Sequence, residues 1–179
     1  MVETGSRRES DMRTSLLALL RQLEARAATG RVVVRGMRTG WVYVHGGRIY
    51  CVERDGEPSL FDSMESAGLF GPGDLDLALR VPVRDRWRLL VHGDEARLDA
   101  VRAFARLHAA DQLRPLLAPV FEPSFTPRIE HPLGPVGAWS VDELLGVPPS
   151  GEEVVDIADG TVVDARRHDT APADDVGRR

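Results

Sequence analysis

Gly30 to Gly56, GRVVVRGMRTGWVYVHGGRIYCVERDG, is the stretch whose reading decides the fold. Three strand-length runs, Arg31 to Arg35, Trp41 to His45 and Arg48 to Glu53, are rich in the valine, isoleucine and aromatic residues that suit a pleated surface. Between the last two, Gly46-Gly47 supplies the positive φ that a two-residue hairpin turn needs. With those glycines as the loop, the expected opposed pairs are Val44 with Ile49, Tyr43 with Tyr50, Val42 with Cys51 and Trp41 with Val52. Opposed residues share a face. One face is therefore expected to carry Val42, Val44, Ile49 and Cys51, the other Trp41, Tyr43, Tyr50 and Val52, with His45 and Arg48 at its rim. Neither is a water face. The pattern predicts a meander covered by helices on both sides; the sharper alternative leaves the aromatic face open to a partner.

Working outward, Leu16, Leu17, Leu19, Leu20, Leu23 and Ala27 form an apolar stripe at helical spacing, with Thr14 or Ser15 as its cap and Thr29-Gly30 as its stop. After the meander, Ser59 and Asp62 resemble a capping box before Leu60, Phe61, Met64 and Ala67, and Gly68 ends that helix. Asp74 to Arg80 reads as a short helix or turn, and Trp87, Leu90 and Val91 as a further helix closed by Gly93. A longer helix opens at Asp94-Glu95, its far end left open between Ala109 and the limits set by Pro115 and Pro119. Val120 to Arg128, with two prolines, reads as an irregular edge strand. Ser140 and Glu143 cap a last short helix stopped by Gly146. The fold class expected is α+β: a small antiparallel β-meander packed against an N-terminal helix and several further helices. The expected organisation is a flexible segment 1–11, a single domain over 12–148, and an acidic tail over 149–179. In that tail Asp159-Gly160 signals a hairpin at 153–164 and the remainder reads as disordered.

Composition excludes several chemistries. Hydrophobic content of 42% beside 28% charged residues is that of a globular chain. The net charge of −5 comes from the acidic termini around a neutral body, which disfavours duplex DNA as a ligand. All 23 basic residues are arginine, so a Walker-type phosphate loop, a Schiff base and a lysine general base are ruled out. Cys51, the single cysteine, forms no internal disulfide. With no long apolar run and no apolar leader after Met1, a cytoplasmic protein without a membrane span is expected.

The five histidines show no metal-binding spacing, so no metal ligand, cofactor or catalytic residue is expected. Cys51 and His45 are placed on opposite faces by the register above, which separates the most tempting nucleophile and base; Cys51 reads as a small buried hydrophobe. Gly71-Pro72-Gly73 lacks the layout of a dinucleotide loop. The candidate partner-binding residues are Trp41, Tyr43 and Tyr50 with Arg48. Arg80, Arg84, Arg86 and Arg88, around Trp87, form an alternative basic patch.

The leucine-rich first helix, Thr29-Gly30-Arg31-Val32-Val33-Val34, Gly40-Trp41-Val42-Tyr43-Val44 and Gly47-Arg48-Ile49-Tyr50 together resemble the bacterial DUF4388 family, also called the PATAN domain. The later features, from Arg102 to Leu117 and on through His131-Pro132-Leu133-Gly134 to the Val141 to Leu145 helix, are similar to the remainder of actinobacterial members. The resemblance implies a non-enzymatic, signalling-associated module that binds another protein or a second copy of itself, and it carries no catalytic residues. The alternative expectation is a transcription-linked regulator contacting nucleic acid through the Arg80 to Arg88 cluster.

Overall fold

The structure, a computed structural model, describes residues 15–118 and 123–146. The segment 1–11 and the hairpin expected at 153–164 lie outside the described residues, as do positions 120–122 of the expected edge strand. The chain divides into two units between Pro148 and Pro149, and the described residues all belong to the first.

The fold is α+β. Helix α1 (Leu16–Ala25) leads into β1 (Gly30–Val34), β2 (Gly40–His45) and β3 (Arg48–Arg54), then α2 (Leu60–Ser66), α3 (Asp74–Leu79), α4 (Val83–Leu90) and α5 (Glu95–Leu116), and finally β4 (Ser124–Pro127) and α6 (Val141–Leu145). The antiparallel sheet has the order β3-β2-β1-β4, so the proline-bearing strand stands at an edge. Arg128 donates its N–H to Thr29. By the alternation of antiparallel pairing, Pro123, Phe125 and Pro127 then direct their backbone outward, and two of those three positions have no N–H to offer.

Each face of the sheet is covered. On one, Val32, Val34, Val42, Val44, Ile49 and Val52 pack with Leu16, Leu20 and Leu23 of α1, the last turns of α5, and Val141 and Leu144 of α6. Burying those three leucines is worth about 1.5–3 kcal/mol each, which holds a short helix that is marginal alone. On the other, Tyr43, Tyr50 and Cys51 pack beneath α2, α4 and the first half of α5.

The expected register fails at one residue. Val44 opposes Ile49 as expected, but Tyr43 then opposes Cys51, Val42 opposes Val52 and Trp41 opposes Glu53. Tyr50 is the extra residue of a β-bulge, so it and Cys51 point to the same side and Val52 crosses to the other. Cys51 therefore lies on the same side as Tyr43 and His45, not opposite them. The first helix also stops differently. Ala27, at φ 47°, occupies the left-handed position, and Ala28 and Ala27 donate to Leu23 and Glu24 in a Schellman closure. Gly30 instead lies within β1, where a Cβ would strike the Thr126 carbonyl and the Phe125 ring. At the hairpin, Gly46 and Gly47 have φ of 56° and 83°, and a Cβ on Gly47 would come within 2.7 Å of the backbone of Glu24. The capping boxes at Ser59/Asp62 and Ser140/Glu143 form as expected. No described helix is long and apolar enough to cross a membrane.

Candidate functional site

The aromatic face is not open. Tyr43 and Tyr50 are 7% and 2% exposed, which corrects their assignment as a partner-binding surface; only Trp41, half-buried at the margin, keeps some contact with water. The helices that follow the meander in sequence fold over this side, and burial pushes the Tyr50 hydroxyl up to about 12 and raises Tyr43 as well. Tyr50 has a structural task, since its oxygen accepts the His131 N–H at 2.8 Å. Arg48 is exposed but engaged with the α6 end of the molecule, donating to the Ala138 carbonyl at 3.4 Å and standing 3.6 Å from Glu143. That glutamate is held below its ordinary range chiefly by the Ser140 N–H.

The segment from Glu130 to Trp139 crosses the tip of the meander and is tethered from several sides. Besides the Tyr50 bond, Trp87 Nε1 donates to the Gly134 carbonyl at 3.1 Å, and Arg102 Nε donates to the Val136 carbonyl at 3.1 Å. Ile49 and Trp139 exchange both backbone hydrogen bonds at 2.8 Å.

Between this segment, α4, the start of α5 and the hairpin tip lies a cleft of about 610 Å³. Its apolar lining includes Trp87, Val91, Leu98 and Val136, and its rim carries Arg84, Arg88 and Arg102 against Glu95 and Glu130. Among the described residues Arg88 has no ion-pair partner, and Arg84 pairs only with its neighbour Asp85 at 3.5 Å. The expected four-arginine patch is thus divided. Arg84 and Arg88 face the cleft, Arg80 is exposed outside it, and Arg86 is spent on the carbonyls of Val81 and Leu79. Helical spacing of 84 and 88 was the available signal for the cleft; Arg102, from another helix, had none.

The second cluster is Cys51, Glu53 and His131, whose ligand-type atoms all lie within 4.8 Å of one another. His131 Nε2 is 3.2 Å from Glu53 Oε1, and its Nδ1 accepts the Leu133 N–H at 3.3 Å, an arrangement that fits the tautomer with its proton on Nε2 facing the carboxylate. The Tyr43 ring meets the imidazole edge-on at 5.1 Å. Cys51 is 2% exposed, and burial drives its thiol well above its ordinary value, as suits the expected buried hydrophobe. His45, its rejected partner, stands instead 3.9 Å from Glu130 at the cleft. No local spacing connects His131 to β3.

Fold and clusters together define an α+β domain with a mixed-charge, apolar-floored cleft on its helical side. Comparison with family models, with curated proteins and with solved structures returns no match for this chain. The DUF4388 resemblance accordingly rests on the sequence motifs alone, those of α1 and the meander and those from Arg102 to Leu145.

Proposed function

We propose that this chain is a non-enzymatic protein-recognition module of the DUF4388 (PATAN) type, acting in bacterial cytoplasmic signalling, and that the cleft beneath Arg84, Arg88 and Arg102 receives its partner. The observation that carries this reading is the guanidinium of Arg88, without an ion-pair partner among the described residues, beside an apolar floor that includes Trp87. Exposed arginine beside buried aromatic surface is the composition of interface hot spots. With Arg84 beside Asp85 and Arg102 bonded to Asp99, Arg88 is the guanidinium that favours a segment bearing Asp or Glu next to an apolar side chain. The high thiol value and deep burial of Cys51 support the non-enzymatic side of the reading.

Selection of random peptides on the immobilised chain tests it. Enriched peptides are expected to pair an acidic with an apolar residue, to lose at least about tenfold in affinity on Arg84→Glu/Arg88→Glu, and to tolerate Arg80→Glu. Enrichment of peptides that bind all three proteins equally would remove the cleft from consideration. The nucleic-acid alternative retains Arg80, Arg84 and Arg88 after Arg86 is lost to backbone carbonyls. Steeply salt-dependent binding of a labelled oligonucleotide, abolished by Arg80→Glu, is the result that would favour it instead.

A further inference from the structure

We propose that Cys51, Glu53 and His131 hold a divalent d-block cation of the zinc type. The three donors are a thiol, a carboxylate and an imidazole, brought together from β3 and from a segment 78 residues further along. Among the described residues they form the one such group. A mixed sulfur, nitrogen and oxygen set suits zinc and its neighbours, whereas calcium and magnesium take oxygen ligands.

The geometry is close to that of a chelate. Two donors each about 2.0–2.1 Å from a tetrahedral zinc lie roughly 3.3 Å apart. Nε2 and Oε1 already stand at 3.2 Å. A thiolate at about 2.3 Å from the same ion would sit roughly 3.6 Å from either donor. All three atoms now lie within 4.8 Å, so the sulfur has little more than about an ångström to close. The surroundings fix the backbone and one side of the His131 ring. Tyr50 accepts the His131 N–H, Tyr43 packs on the imidazole edge, and neither offers the ion a competing carboxylate. Glu53, with 21% of its side chain exposed, is the member of the cluster most open to solvent.

Binding has a defined proton balance. The thiol gives its proton to solvent as the sulfur–metal bond forms. The imidazole loses the proton on Nε2 and gains one on Nδ1, so the 3.3 Å contact from the Leu133 N–H is given up. One proton is released per ion, and the Leu133 amide reports the event.

Cobalt(II) added to the untagged full-length chain above neutral pH is the probe. Because the sequence has one cysteine, a thiolate-to-cobalt charge-transfer band can arise only from Cys51. The expected result is a 1:1 band displaced by zinc, absent in Cys51→Ser, with affinity at least about tenfold lower in His131→Gln and in Glu53→Gln. Glu53→Gln keeps a hydrogen-bond acceptor for His131, so it guards against a result produced by misfolding. A folded wild-type chain that shows no band at saturating cobalt overturns the proposal, even if cobalt binds elsewhere. So does a band whose affinity is unchanged in both of the latter variants while their circular dichroism matches wild type.

Discussion

His108 shows how one misplaced polar atom sets a pH dependence. It lies on α5 with its Nε2 buried and without a hydrogen-bond partner among the described residues, and burial lowers its pKa against the opposing pull of Asp111 and Glu53. The unfolded chain regains a value near 6.5, so between that value and the lower folded one it binds the extra proton. Stability there rises with pH, and it is lost as pH falls from 6.5 toward the folded value. His108→Leu is expected to flatten the slope of melting temperature against pH in that window, and to stabilise the protein at pH 7 by about 1 kcal/mol through removal of an unsatisfied buried group. Glu143 leaves the window alone, since its depressed value acts only below 4.5. Melting curves at closely spaced pH values check this, and a variant that keeps the wild-type slope would show that His108 is not its source.

At the scale of elements, the Glu130 to Trp139 segment is placed by side chains of the sheet and helices, not by regular structure of its own. Tyr50 makes the deepest of these tethers. Tyr50→Phe removes the acceptor and strands the His131 N–H, at a cost of about 1–3 kcal/mol. Denaturant titration should show that loss, together with faster amide exchange at His131 and Leu133; unchanged exchange would mean that Trp87 and Arg102 suffice. Features written within a few residues of one another were legible in the sequence: the Gly46-Gly47 turn, the two capping boxes and the wrap of helices over both faces. The bulge was not. Cys51 and Val52 are both small and apolar, so either register satisfies the hydrophobic pattern, and only the distant bond to His131 distinguishes them. The stop of α1 was misplaced for a related reason. Gly30 looks like a cap, but the approach of β4, encoded about 95 residues later, is what requires a glycine there, and Ala27 takes the strained position instead. The candidate site was partly visible, as Arg84 and Arg88 on one helix; Glu130 and Arg102 reach it only through tertiary folding, as His131 reaches Cys51 and Glu53.

Among the described helices of the molecule, α5 is the one that, like strands β2 and β3, contributes to both cores. At 22 residues it runs about 33 Å. Val101 and Ala105 lie in the core with Tyr43 and Trp87, while Ala109, Leu113 and Leu116 lie in the core with α1 and α6. A charged bond reinforces its last turns, where Arg54 Nε donates to Gln112 Oε1 at 2.7 Å. A helix cannot melt at one end and stay packed at the other without fraying through its middle, so the two cores should unfold together. Leu113→Ala tests this from the first core. Its side chain is fully buried, and truncation is expected to cost about 2–5 kcal/mol. In a Trp41→Phe/Trp139→Phe background the remaining fluorescence reports Trp87, in the second core. Its denaturation midpoint should fall by the same amount as that of the far-ultraviolet circular dichroism, although Trp87 and Leu113 belong to different clusters. Leu107→Ala, at an exposed position of the same helix, should move neither by more than about 0.5 kcal/mol. A Trp87 signal that holds its wild-type midpoint while the helical signal falls would show two separately folding halves, and α5 would then be a strut between them, not the spine of one cooperative unit.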